Sequence, residues 1–125
     1  MADDRLRIGI VGLGGRGGLW HHWHAPDARS VVVGGADVNE ARLASFSVEH
    51  GGAPVCVTDY RRLLERDDID AIAVTSPDYL HHEHAVAALE AGKHVFCEKP
   101  LAISVDGCDA ILRAWQRSGR ELMVG

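Results

Sequence analysis

Short, almost uninterrupted apolar runs alternate along the chain with stretches where apolar residues recur every three to four positions. Residues 6–11, 31–36, 71–75 and 94–97 have the composition of strands buried on both faces, as in a parallel sheet. Residues 54–57 and 121–124 predict two shorter strands, the second at the chain terminus. Between the runs the period changes to that of a helix. Leu43 and Phe46 share a face behind Asn39, a good N-cap, and Gly51 supplies a stop. Tyr60, Leu63 and Leu64 form a short stripe after Asp59. Ala85, Val86 and Leu89 follow Asp78 in the same way, with Gly92 closing the helix. Cys108, Ile111, Leu112 and Trp115 occupy the i, i+3, i+4, i+7 face of a helix capped by Ser104 and ended near Gly119. This β-α-β-α alternation predicts an α/β fold, a doubly wound parallel sheet forming a single domain over residues 1–125.

Composition adds exclusions. Apolar residues make up 46% of the chain and charged residues 25%, ordinary globular values that argue against disorder. No apolar run approaches the roughly 20 residues of a membrane span. No membrane partner is expected, and with no signal-peptide pattern at the start a cytoplasmic location is the default. The net charge of −5 and the scattered basic residues argue against a nucleic-acid partner. Cys56, Cys97 and Cys108 contain no CxxC pair, which fits buried thiols in a reducing compartment. Cys97 reads as a packing residue rather than a nucleophile.

The first strand runs into Gly12-Leu13-Gly14-Gly15-Arg16-Gly17, a G-x-G-x-x-G motif. On its own the pattern is weak; here a buried strand precedes it, a helical stretch with Leu19, Trp20 and Trp23 follows, and the second strand ends in Asp37. Gly12 permits the tight turn, Gly14 lets backbone N–H groups approach a pyrophosphate, and Gly17 lets helix and strand pack closely. A helix N-terminus adds partial positive charge beneath the phosphates. Gly15 and Arg16 complete the phosphate turn. Asp37 stands twenty residues beyond Gly17, placed to accept the adenosine ribose hydroxyls, which favours NAD over NADP. Arg42, one turn into the next helix, is the residue that would tolerate a 2′-phosphate. The sheet is thus read as Rossmann-type, with strand order 3-2-1-4-5-6.

Two further clusters fall at carboxyl ends of strands, where open α/β sheets bind ligands. One is Thr75-Ser76-Pro77-Asp78-Tyr79-Leu80-His81, the other Cys97-Glu98-Lys99-Pro100. Lys99 is one of only two lysines, with Lys93. The histidines His21, His24, His81 and His84 pair at i, i+3, but no spacing fixes a third ligand. No metal site is expected from them. Trp20 and Trp23 are expected to pack the first helix on the sheet.

The glycine motif, the acidic end of strand two, Thr-Ser-Pro-Asp-x-x-His and Glu-Lys-Pro together resemble the cofactor domain of the Gfo/Idh/MocA oxidoreductases. The likeness covers essentially the whole chain. It implies a domain that binds NAD(H) or NADP(H), with His81, Glu98 and Lys99 toward the nicotinamide half, Thr75 and Ser76 among the cofactor-binding residues, and Asp37 on the adenosine ribose. It implies Lys99 as the catalytic group that polarises or protonates the substrate oxygen. The implied reaction is reversible hydride transfer with a sugar- or cyclitol-like secondary alcohol, the dinucleotide carrying the redox chemistry. Family members are two-domain proteins whose second half carries the substrate pocket, so this chain alone is expected to be inactive. The alternatives are a stand-alone dinucleotide-binding module, a subunit of a split enzyme, and a scaffold without nucleotide binding. The intact glycines and Asp37 weigh against the last. An uncovered terminal edge at Leu122-Met123-Val124 predicts self-association, most simply as a two-fold homo-oligomer.

Overall fold

The computed structural model describes residues 4–15, 20–27 and 29–125. Its six strands are β1 (Leu6–Val11), β2 (Ser30–Ala36), β3 (Val55–Val57), β4 (Ala71–Val74), β5 (His94–Cys97) and β6 (Leu122–Val124). They form one sheet in the order β3-β2-β1-β4-β5-β6, and every pairing is parallel. This is the expected Rossmann-type order. Its switch point lies between β1 and β4, because the chain moves outward first on one side of β1 and then on the other.

Among the described residues five helices cover the two faces: α1 (Trp20–Trp23), α2 (Glu40–Glu49), α3 (Arg61–Leu64), α4 (His81–Glu90) and α5 (Val105–Ser118). Asn39 caps α2 by accepting from the amides of Ala41 and Arg42 at 2.9 and 3.2 Å. Ser104 caps α5 through the Gly107 amide at 3.0 Å. A 3-10 turn over Asp78–Leu80 leads into α4.

Alternation along the central strands sends apolar side chains to both faces. Val11, Ile72, Val74, Val95 and Cys97 pack beneath Leu63 of α3, Ala85, Ala88 and Leu89 of α4, and Ile111 and Ala114 of α5. Ile8, Ile10, Val32, Ala71 and Ala73 face the opposite way, under Phe46 of α2, with Trp23 of α1 packed at the margin. Burying a side chain such as Ile10 or Ile72 contributes about 1.5–3 kcal/mol.

The buried face of α5 differs from the predicted stripe. Gly107, Ile111 and Ala114 are buried, whereas Leu112 and Trp115 are 40% and 39% exposed. Ala114 of α5 shares a core cluster with Ala85 and Ala88 of α4, and a Cβ on Gly107 would lie 3.5 Å from His82 Nδ1 of α4, so small residues face α4 and the large side chains are left at the margin. Trp23 meets expectation, stacking edge-on against Phe96 at 5.1 Å. Leu19 and the side chain of Trp20 lie outside the described residues.

At the amino ends of the strands, Arg7 grips Asp70 with Nε and Nη2 at 3.0 and 2.9 Å. Lys93 is buried and donates to the Arg66 and Ile69 carbonyls. This end of the sheet is closed by structural ion pairs, and the opposite end is open.

Candidate functional site

A cleft of about 540 Å³ opens over the carboxyl ends of β1, β2, β4 and β5, the crevice side of the switch point. Its floor is the turn after β1. Gly12 has φ +94, and a Cβ there would lie 2.5 Å from both Cα and N of Ser76, so only glycine fits. The turn is tied to both neighbouring strands. Gly12 N–H donates to Ala36 O at 2.9 Å, Thr75 N–H donates to Val11 O at 2.9 Å, and Thr75 Oγ1 donates to Gly12 O at 2.6 Å. Thr75 is therefore buried behind the turn, supporting it, with its hydroxyl committed to Gly12.

Asp37 closes the β2 side. Its Oδ2 accepts from the Leu13 amide and its Oδ1 from the Asn39 amide, each at 2.8 Å. The side chain is 6% exposed and lies 3.8 Å from Arg42 Nη1. A carboxylate has about four lone-pair sites, so two remain for hydroxyl donors after the two amides. Arg42 also lies over the glycine turn, since a Cβ on Gly14 would fall 2.7 Å from its guanidinium carbon. Gly15 lines the cleft at its rim; Arg16 and Gly17, the rest of the predicted phosphate turn, lie outside the described residues.

The opposite wall comes from the ends of β4 and β5. Glu98 N–H donates to Val74 O at 3.0 Å and Lys99 N–H to Gly125 O at 3.1 Å, which fixes the backbone from which both side chains enter the cleft. Glu98 is half-buried and Lys99 exposed. His81 is almost wholly buried, 1% exposed. Its Nδ1 faces Pro100 O at 2.7 Å and its Nε2 faces Ser76 O at 2.9 Å. The ring thus bridges the two loops of this wall, and its polar atoms are committed to backbone carbonyls. His84, one turn on, is 7% exposed, with Nδ1 2.8 Å from Ser76 Oγ. Burial, outweighing the neighbouring Glu83 carboxylate, holds its pKa below the ordinary imidazole value.

Sequence reasoning passed over Tyr60. It reads as one position of an apolar stripe, yet its ring tilts over His84 at a centroid distance of 4.3 Å and its hydroxyl donates to Glu83 Oε2 at 3.1 Å. Burial, followed by the Glu83 contact, pushes its pKa up to about 12. A single tyrosine between two charged neighbours carries no pattern that would separate it from a core aromatic. Cys97, at the strand end below Glu98, is fully buried and its thiol is pushed up to about 12, chiefly by burial, so it stays protonated. Among the described residues no three His, Cys, Asp or Glu side chains gather to hold a metal ion, and no helix is long and apolar enough to cross a membrane.

A family model described as an oxidoreductase family with an NAD-binding Rossmann fold matches residues 6–125. Inositol 2-dehydrogenase of Klebsiella pneumoniae (strain 342) is 35% identical over 123 residues, covering 94% of this chain and 35% of that protein. A mutant of a 3-ketoreductase from Actinomadura kijaniata, solved with TDP-benzene and NADP, superposes with a TM-score of 0.83. It is 31% identical over 97% of this chain and 37% of that one. The WlbA dehydrogenase from Bordetella pertussis, solved with NADH and UDP-GlcNAcA, superposes with a TM-score of 0.85. It is 25% identical over 97% of this chain and 37% of that one. The chain spans about a third of the length of the relatives it matches.

Proposed function

The chain belongs to the Gfo/Idh/MocA oxidoreductase family, and from that premise we propose that its cleft holds NAD for hydride transfer to and from a sugar- or cyclitol-like secondary alcohol. The observation that supports this most is the Asp37–Leu13 contact of 2.8 Å. It puts a carboxylate with free lone pairs beside a glycine turn that has no room for a side chain at Gly12. That pairing suits a ribose next to a pyrophosphate, and the cleft volume admits a dinucleotide lying across the switch point.

In this reading Gly12 and Gly14 keep side chains out of the phosphate path, while Gly15, Arg16 and Gly17 supply the rest of the turn. Asp37 accepts from the adenosine ribose. Glu98 and Lys99 line the nicotinamide half, Ser76 stands where that half meets the glycine turn, and Thr75 and His81 act from behind, holding the turn and the wall. The dinucleotide, when bound, supplies the hydride chemistry. Lys99, exposed at the cleft wall, holds or moves a proton at the substrate oxygen. Glu98, the preceding residue at the end of β5, lines the same cleft.

A second reading concerns the cofactor alone. Arg42 lies close to both Asp37 and the Gly14 backbone, within reach of a 2′-phosphate, and would let the site accept NADP. NAD is preferred because the nearly buried Asp37 carboxylate repels a phosphate at that corner, and Arg42 is already engaged by the same carboxylate. Calorimetric titration of the chain with NAD and with NADP tests both readings. Tighter NAD binding is expected. NADP affinity at or above that for NAD overturns the preference, and no binding of either removes the cofactor assignment.

A further inference from the structure

We propose that His84 is a positioning residue for the dinucleotide cleft, deciding through its contact with Ser76 whether that hydroxyl presents a lone pair or a proton to the bound cofactor. The inference rests on the reading of the cleft as the dinucleotide site. Both residues line it, and Ser76 Oγ lies 2.8 Å from His84 Nδ1. The second ring nitrogen, Nε2, faces Glu83 Oε2 at 3.8 Å. In the neutral ring this carboxylate favours the proton on Nε2, leaving Nδ1 as an acceptor. Ser76 then donates to His84, and its oxygen lone pairs face the cleft. A second proton on the ring reverses the bond. Nδ1–H donates to Oγ, and the serine hydrogen is released toward the cleft.

The direction of the effect follows from where Ser76 sits. Its Cα and N occupy the space a side chain on Gly12 would need, so the residue that carries the hydroxyl borders the turn assigned to the pyrophosphate. An anionic group there is favoured by a donor over an acceptor, and by positive charge on His84. Cofactor affinity is therefore expected to rise as pH falls through the His84 titration. The groups facing the ring are Glu83 and His81 from α4, the Tyr60 ring ahead of α3, and Ser76 at the end of β4. Glu98 and Lys99 line the same cleft from the end of β5. Glu83 favours the charged ring, while burial and His81 oppose it, with burial the largest effect.

The test is NADH affinity of the folded chain, measured by nucleotide fluorescence at constant ionic strength from about pH 8 down to about pH 5, spanning the imidazole range. Wild-type affinity is expected to tighten by about five- to tenfold, the scale of one ordinary net hydrogen bond. His84→Asn and Ser76→Ala are expected to flatten that slope, and Ser76→Thr to retain it. A merely structural His84 would shift affinity equally at every pH. Binding with no slope in the wild type, or an unchanged slope in His84→Asn, overturns the inference while leaving the cofactor site standing. If His84→Asn does not fold, the two serine variants decide, and equal slopes in them overturn it. Absence of NADH binding at every pH by the folded wild type overturns the cofactor reading and this inference with it.

Discussion

The Asp37 carboxylate accepts the Leu13 amide proton across 24 positions of sequence, at 2.8 Å. The residue assigned to recognise the cofactor thus also fastens the glycine turn to the second strand. A second amide, that of Asn39, is held by the other oxygen, and Asn39 in turn caps α2. Turn, strand end and helix start share one anchor.

Asp37→Ala is therefore expected to act twice. It leaves the part-buried Leu13 and Asn39 amide bonds without their acceptor, which costs about 1–3 kcal/mol of stability. It also lowers NAD affinity by about tenfold or more while changing NADP affinity less. Urea denaturation and parallel titrations measure the two effects. Unchanged discrimination between the nucleotides in the folded variant would show that Asp37 does not choose between them.

Gly12 and Gly15 both have positive φ but different surroundings. Gly12→Ala drives a Cβ to 2.5 Å from Ser76 backbone atoms, whereas at Gly15 nothing lies within 4 Å. The first substitution is expected to cost several times the roughly 1–2 kcal/mol of left-handed strain that the second carries. It is also expected to abolish nucleotide binding. Denaturation midpoints within experimental error of each other would contradict the close contact.

The Arg7–Asp70 pair predicts an acid-dependent loss of stability. The hydrogen bonds from Arg7 hold the Asp70 carboxyl below its ordinary value of 3.8. The stabilisation is complete above that value and is lost as pH falls through the lower folded one. Asp70→Asn should lower stability by about 1 kcal/mol near neutrality, and the gap should close as pH falls below 3.8. A gap that widens on acidification would show the sign to be wrong.

On α5, Ile111→Ala is expected to cost about 2–5 kcal/mol, because Ile111 is wholly buried. Trp115→Ala is expected to cost less than about 1.5 kcal/mol, since the ring lies at the margin of the α4–α5 contact. Equal losses would restore the stripe read from sequence.

The 125-residue chain is expected to bind NAD without reducing it in the presence of myo-inositol. Cofactor binding lowers no barrier unless the substrate is held in line with it and a proton acceptor is in place. Steady formation of NADH absorbance by the chain alone, lost in Lys99→Ala, would show that the cleft described above suffices for turnover.

Much of this was legible in the sequence because local signals and the global pattern agree. Asn39 and Ser104 cap the helices they precede, and the runs ending at Val11, Ala36 and Val74 become adjacent strands in the expected order. The face of α5 was not legible. Periodicity counts apolar residues by size, while the helix contact is decided by which side chains are small enough to permit close approach. Gly107 and Ala114 win that contest over Leu112 and Trp115. The Tyr60–Glu83–His84–Ser76 chain escaped for another reason. Its members come from three separate stretches, with only Glu83 and His84 sharing a helix, and only folding gives the tyrosine hydroxyl and the imidazole their polar partners.

His81 has a thermodynamic consequence for recognition. Its imidazole spans the Ser76 and Pro100 carbonyls, so the loops after β4 and β5 are held together before any ligand arrives. A ligand entering against that wall meets a surface whose backbone entropy was already lost on folding, and little ordering cost is left to subtract from its affinity. The ordering that remains falls on the opposite bank of the cleft, on the half-exposed Arg42 side chain. Differences in affinity among dinucleotides are thus expected to carry their entropic signature on the adenosine side.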